Sequence, residues 1–422
     1  FEHIVSVFVQ RFRRGQFGTT SPHPDRTARN PQGPPSSQLF FLSVSSSRAS
    51  VFPKMLGIVW PLPAGPCVSD QAEDTVVLRP VFSSSISSFP PPSPSSVVEE
   101  LERAKEKVGV ARTRMGTRAW KEAVSVAGRE TKVRGMNRAS DKLEEMIDLC
   151  LPSLLNPHHP RGREGVASTN VLLLCEAPGG FADCLLKKGI PPSSLNATSL
   201  ASGIQFSPSI KRSGVHILSP PGGGDITLPQ ARDFLHHLPL WKGGGFSFIT
   251  ADGARDADDA PHLAEKRHSF LLASEVDAAF RSQGEGGSLV VKLLGMAEEV
   301  TIDILLLLCC SYEEVSLVKP LSSRSVNDER YVVCIGFLPS SPFVTSFLSV
   351  YTTEQKAFLS NQNKNEAIET KQEQDATFLV RLMEGRRPQD WEREVRCTSD
   401  SFALSQTKSI SSALSQMQRG AP

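Results

Sequence analysis

Four short stretches place polar residues where apolar runs end. In Leu174-Cys175-Glu176-Ala177-Pro178-Gly179-Gly180-Phe181 an apolar run enters a double-glycine turn and then a helical stretch. Two glycines let backbone approach a ligand closely, and a helix N-terminus offers unpaired N–H donors. The alternative is an ordinary tight turn, since the stretch is not a GxGxxG fingerprint. Phe246-Ser247-Phe248-Ile249-Thr250-Ala251-Asp252-Gly253 ends an apolar strand on an acid, or makes a plain Asp-Gly turn. Ser288-Leu289-Val290-Val291-Lys292 closes another strand on a lysine, which can instead snorkel to the surface. Ser322-Ser323-Arg324 through Asn327-Asp328-Glu329-Arg330-Tyr331 sets Glu329 at the start of the last strand, or pairs it at the surface with a nearby arginine. Together they offer Asp, Lys and Glu at strand ends, groups that hold and release protons, and one rim of one sheet can bring them together.

The surrounding pattern predicts that sheet. A helical segment at 137–151 precedes a strand at 171–175 and a helix opening at Gly179-Gly180. Further strands are expected at 215–218, 246–250, 288–293, 314–318 and 331–337, with helices at 228–238, 259–281 and 300–311. Strands alternating with helices imply an α/β fold, a mostly parallel sheet covered on both faces. Ligands bind such sheets beyond the carboxyl ends of the strands.

Around that core, composition sets limits. With 46 Lys plus Arg against 45 Asp plus Glu in 422 residues, nucleic-acid affinity must come from local patches. One such patch is Arg103 to Arg134, with ten Lys or Arg against three Glu; it reads as an RNA-binding arm or as a solvated helix face. The eight cysteines include no CxxC pair, which points to a reduced compartment and no structural zinc. His158-His159 and His236-His237 read as loop or helix surface rather than metal ligands, so no metal site is expected. Ile304 to Cys310, the longest strongly apolar run, is far short of the roughly 20 residues of a membrane span, so no membrane partner is expected. Residues 1–96, Ser/Pro-rich from Thr19, are expected to form a disordered leader, with a transit-peptide character at the Arg- and Ser-rich start as the alternative. Residues 97–131 are expected to form the basic helical arm. Residues 341–422 are expected to hold one polar helix, around Glu354 to Asp375, and a disordered Ser/Gln tail.

The Glu176 to Phe181 turn, the Ala251-Asp252-Gly253 strand end and the run from Lys319 to Cys334 resemble the FtsJ-like ribose 2′-O-methyltransferases, and most of all the cap-specific mRNA branch, over about Lys132 to Phe337. The most specific run is Lys319-Pro320 through Ser323-Arg324 to Glu329-Arg330-Tyr331-Val332-Val333-Cys334. The resemblance implies a Rossmann-like methyltransferase domain at 132–340, S-adenosylmethionine as cofactor and RNA as substrate, with capped mRNA favoured and DNA not expected. It implies a catalytic tetrad of Lys142, Asp252, Lys292 and Glu329, in which Lys142 rests on Met136-Asn137-Arg138-Ala139-Ser140-Asp141-Lys142 and Lys292 is the base. Cofactor contacts carry over to Ala177, Pro178, Gly179, Gly180, Phe181, Asp225, Ile226 and Asp252, and substrate contacts to Arg138, Ser323, Arg324 and Asn327. Lowering a lysine from about 10.4 to about 8, as a base requires, costs roughly 3.3 kcal/mol. Burial and Lys142 push that way, and the two carboxylates oppose it. Lys188 to Ser213 departs from the family pattern. Ribosomal or transfer RNA is the alternative substrate, a catalytically silent RNA-binding relative the alternative role, and the nucleus, ahead of the cytoplasm, the expected location.

Overall fold

The computed structural model describes residues 58–61, 77–83, 95–128, 136–151, 170–238, 245–255, 261–365, 378–384 and 387–419. In chain order come β1 (Ile58–Pro61), β2 (Val77–Ser83), α1 (Ser96–Met115), α2 (Thr117–Gly128), α3 (Arg138–Cys150), β3 (Val171–Leu174) and α4 (Gly180–Lys187). Next are β4 (Leu195–Ala197), α5 (Pro208–Arg212), β5 (His216–Ile217), α6 (Pro229–His236), β6 (Phe246–Ala251), α7 (Ala264–Ser282) and β7 (Gln283–Leu293). The last are α8 (Glu299–Ser311), β8 (Tyr312–Lys319), β9 (Arg330–Phe337), α9 (Pro342–Asn365), β10 (Phe378–Glu384) and α10 (Gln389–Arg419).

Among the described residues the main sheet has eight strands in the order β1-β8-β9-β7-β6-β3-β4-β5. From β5 to β7 every pairing is parallel, whereas β9 runs against both β7 and β8, and β1 against β8. Successive side chains of a strand face opposite sides, so Val171 and Leu173 enter one core with α3, α4 and α5, while Leu172 and Leu174 enter the other with α7, α8 and α9. All four residues of β3 are buried, as a continuous apolar run in a central parallel strand must be. The α/β sheet expected from the alternation is thus present, with β4 added inside the stretch that departs from the family pattern.

Both flanks differ from expectation. Within the Ser/Pro-rich leader β1 and β2 are strands; β2 pairs with β10 in a second sheet, and Phe82 packs 5.9 Å from the Phe270 ring. Only residues 58–61, 77–83, 95 and 96 of the leader are described, and the rest lies outside. Leu78 is buried and Val81 exposed, a period-two signal hidden by the surrounding composition. Where a Ser/Gln tail was expected, α10 buries Trp391, Val395, Phe402, Ile410, Ala413 and Met417, a helical stripe inside a polar sequence. Its Ala403 and Ile410 share a core with Val98, Leu101, Ala104 and Val108 of α1, so the basic arm is a packed helix. Arg387 ties the segment before α10 to Asp303 and Glu299 of α8, with Nη2–Oδ1 at 2.5 Å and Nη1–Oε2 at 2.7 Å. The polar helix expected around 354–375 instead spans α9, beginning twelve residues earlier, and 366–377 lies outside the described residues. No described helix is long and apolar enough to cross a membrane.

Candidate active site

Strand register assembles the site. Ala251 pairs with Val291 in the parallel β6–β7 ladder, so Asp252 and Lys292 leave the sheet side by side. Lys292 in turn lies opposite Tyr331 in the antiparallel β7–β9 ladder, two residues beyond Glu329. Lys142 comes from α3, whose first turn is capped by Asn137 accepting from the Ala139 and Ser140 N–H groups.

The four residues form two ion pairs. Lys292 Nζ lies 2.9 Å from Asp252 Oδ1 and donates to the Asp252 carbonyl at 3.0 Å. Lys142 Nζ pairs with Glu329 Oε1. The Tyr331 hydroxyl links the pairs, 2.8 Å from Asp252 Oδ1 and 2.6 Å from Glu329 Oε1. A phenol has one proton, so the two carboxylates share it.

Burial alone would raise the Glu329 carboxyl, but Lys142 and then Lys292 outweigh it and hold the group at about 2. Burial likewise works to lower Lys292, and Asp252 and Glu329 reverse the sign, leaving its ammonium above its ordinary value. The lowering expected of a base is therefore not a property of this arrangement. Lys319 behaves the opposite way: burial first, then the Arg330 guanidinium, push it down to about 7. Its Nζ donates at 2.7 Å to the carbonyls of Asn327 and Glu329.

Gly179 and Gly180 form the turn after β3, Gly179 with φ 111°. A Cβ on Gly179 would stand 2.5 Å from Ile210 Cγ1, and one on Gly180 would strike the Asn137 amide oxygen and stand 2.7 Å from the Ala139 Cβ. The room these glycines leave is thus filled by α5 and by the cap of α3. Gly180 thereby sets the seat of the helix that carries Lys142. Glu176 Oε1 accepts the Ala182 N–H at 2.8 Å, and burial pushes its carboxyl up to about 8.

Residues 136–337 match the family model described as FtsJ-like methyltransferase. Over that stretch, a little under half of its length, the chain is similar to the FtsJ-like methyltransferase family. Cap-specific mRNA (nucleoside-2'-O-)-methyltransferase 1 of Mus musculus is 28% identical over 268 residues, covering 59% of this chain and 30% of that protein. The Danio rerio protein of the same name is 28% identical over 235 residues, covering 50% and 28%. Cap-specific mRNA (nucleoside-2'-O-)-methyltransferase 2 of Mus musculus is 31% identical over 187 residues, covering 40% and 24%. The chain spans less than a third of the length of each of these relatives.

Within residues 136–337 the remaining expected residues fall into distinct settings. Ala177 and Pro178 are partly exposed on the turn, whereas the Phe181 side chain is fully buried, its ring 6.1 Å from that of Tyr331. Asp225 Oδ1 accepts from the Thr227 N–H at 2.9 Å and hydroxyl at 2.7 Å, closing a tight loop. Ile226 is buried in the core, so only its backbone faces that loop. Ser323 Oγ stands 3.5 Å from Glu329 Oε2, and Asn327 N–H donates to the Arg324 carbonyl at 3.1 Å, so these three residues share the loop leading to Glu329. Arg324 is exposed there. Arg138 opens α3 one turn before Lys142, on the same face.

Four residues of that stretch that bear on the site were not among those expected. Tyr331 was legible only as part of a motif. Lys319 was visible in the same run. Arg232 carried no signal, yet its Nη1 holds the Ile226 and Thr227 carbonyls at 2.8 and 2.9 Å and its Nε pairs with Asp277 at 2.5 Å. Glu275 accepts the Gly253 N–H at 3.0 Å just beyond Asp252, and burial pushes it up to about 8. His236 and His237 direct Nδ1 at the Arg281 and Asp233 carbonyls, each at 2.7 Å, and His158-His159 lies outside the described residues.

Two carboxylates at the carboxyl edge of the parallel strands suit a cationic ligand. Asp252 stands at the end of β6 with its side chain 17% exposed, Asp225 follows β5 with one oxygen engaged by Thr227, and the β3 turn lies between them.

Proposed function

We propose that the chain is an S-adenosylmethionine-dependent RNA ribose 2′-O-methyltransferase acting on the cap-proximal part of mRNA. The observation that carries the reading is the pair of Lys–carboxylate contacts joined through Tyr331 at the carboxyl edge of the sheet.

S-adenosylmethionine, when bound, supplies a methyl group on sulfonium, so the leaving group departs as a neutral thioether without a metal. The Asp225 loop and the Glu176–Gly180 turn would hold it, with Asp252 toward the methyl end. The residues of the chain handle the proton of the ribose hydroxyl. Lys292 must release its own proton to solvent, to which its side chain is partly open, before it takes one from a 2′-hydroxyl, and its carboxylate neighbours resist this. Asp252, once shared with a cationic donor, holds that ammonium less tightly, which moves Lys292 toward the neutral amine. Lys142, fixed by Glu329, orients the hydroxyl.

RNA is selected by its 2′-hydroxyl and held by phosphate contacts. Exposed Arg103, Lys107, Arg114, Arg118 and Lys121 on α1 and α2, together with Arg138 and Arg324, provide the cations. Lys105 leaves the expected arm, being buried in pairs with Glu102 and Asp328 at 2.7 and 2.9 Å, and residues 129–134 lie outside the described part. The cap preference follows the named relatives, and a nuclear location, ahead of the cytoplasm, is part of the same proposal.

The test is methyl transfer from labelled S-adenosylmethionine to matched capped and uncapped short RNAs, by wild type and Lys292→Ala. Cap-dependent transfer lost in the variant supports the reading. Cap-independent transfer moves the substrate to structured RNA such as ribosomal or transfer RNA, and no transfer by wild type to any RNA leaves a silent RNA-binding relative.

A further inference from the structure

The loop that delivers Ser323, Asn327 and Glu329 to the site is gripped from outside the family-matched region. Lys105 of α1 reaches Asp328 Oδ2 at 2.9 Å, with both side chains largely buried. Gln406 of α10 donates from Nε2 to the Val326 carbonyl at 3.0 Å. Arg330, the first residue of β9, is buried with its guanidinium 4.5 Å from the centre of the Phe402 ring of α10. The two helices are themselves locked together by a shared apolar core and by Ser95 Oγ donating to Asp400 Oδ1 at 2.5 Å. On the inner side Lys319 holds the carbonyls of Asn327 and Glu329. Residues 326–330 are therefore fixed between a lysine of the sheet and a helical pair contributed by segments before and after the family-matched region.

We propose that Lys105 and Gln406 are positioning residues for the active site, and that the α1–α10 pair is a brace setting the place of Glu329 and hence of Lys142. The chain of contact is short: Lys105 to Asp328, the adjacent Glu329, then Lys142. Asp328 and Glu329 point to different partners across one peptide, so a shift of the first moves the second. Misplacement of a catalytic group by about 1 Å costs up to roughly a hundredfold in rate. The cofactor loop at Asp225 is held from α6, α7 and α9 instead, so the brace bears on the substrate side of the site and not on donor binding.

This inference rests on the methyltransferase reading, and its test separates the two. In the full chain, Lys105→Met, Lys105→Arg and Gln406→Leu are compared with wild type for kcat, for KM toward RNA, for donor affinity by calorimetry, and for amide exchange over residues 321–329. Lys105→Met is expected to lower kcat at least about tenfold, to leave donor Kd within about twofold, and to speed exchange in that loop. Lys105→Arg should recover most of the rate, and Gln406→Leu should show the same split in milder form. Unchanged kcat and RNA KM in Lys105→Met overturn the proposal, as does a rate loss matched by an equal loss of donor-binding stoichiometry, which marks simple unfolding. If wild type transfers no methyl group, the activity reading fails, and the exchange data alone decide the brace: faster exchange supports it and unchanged exchange overturns it.

Discussion

The hydroxyl of Tyr331 lies 2.6 Å from Glu329 Oε1, and the same oxygen of Glu329 pairs with Lys142. Together with its 2.8 Å contact to Asp252, the phenol makes the two ion pairs one network. Tyr331→Phe keeps the ring against Phe181 and removes only that link. A hydrogen bond to a charged group is worth about 1.5 to 3 kcal/mol. Steady-state assays should show kcat reduced roughly ten- to hundredfold, with donor affinity nearly unchanged. An undiminished kcat would mean that each pair acts alone.

Gly180→Ala tests the seat of α3. The added methyl meets the Asn137 amide oxygen, which can turn away only by giving up the Ala139 and Ser140 N–H groups, and the Ala139 Cβ, which cannot turn at all. Overpacking of this kind costs about 1 to 3 kcal/mol. Thermal unfolding should register that loss. Methyl transfer should fall further than the folded fraction does, because Lys142 moves with the helix. A variant whose rate tracks its folded fraction would detach the glycine from catalysis.

Glu275 makes stability depend on pH in a direction opposite to an ion-paired acid. Its folded value is raised to about 8 from 4.5, so between these values the unfolded chain has released a proton that the folded chain keeps. Stability from this group therefore falls as pH rises through that window and levels off above it. Glu275→Gln imitates the neutral acid and keeps an acceptor for the Gly253 N–H. Melting temperatures measured from pH 5 to pH 8 should decline less steeply in the variant, while Glu176, also raised to about 8, leaves part of the slope. Parallel curves for wild type and variant would refute the assignment. Glu329 has the reverse sign: held at about 2, it contributes stability above 4.5 that is lost as pH falls toward 2.

Arg232→Met should loosen the Asp225 loop. The guanidinium is buried and holds two consecutive carbonyls of that loop, at Ile226 and Thr227. Orphaning a buried charge costs about 3 to 5 kcal/mol, and the loss here should be smaller because Arg281 Nε still pairs with Asp277 at 3.0 Å. Donor KM should rise about tenfold with kcat held within about twofold. Equal losses in both would place the effect on the fold as a whole.

The sequence by itself determined β3 and β5 to β9, the turns that end them and the residue types at those ends. Apolar runs such as Val171 to Leu174 and Phe246 to Ala251 announce buried parallel strands, because both faces of such a strand must be apolar. Only tertiary structure decided the pairing. Lys292 meets Asp252, and Lys142 meets Glu329, because ladder register and the seat of α3 set those distances, and neither leaves a mark on spacing along the chain. The same holds for Lys105, indistinguishable in sequence from its basic neighbours yet buried on Asp328, and for α10, whose apolar stripe is too sparse to stand out among serines and glutamines until α1 packs against it. Local periodicity is written in one dimension. Which charge is enclosed, and by what, depends on elements far apart in sequence and is settled only when they pack.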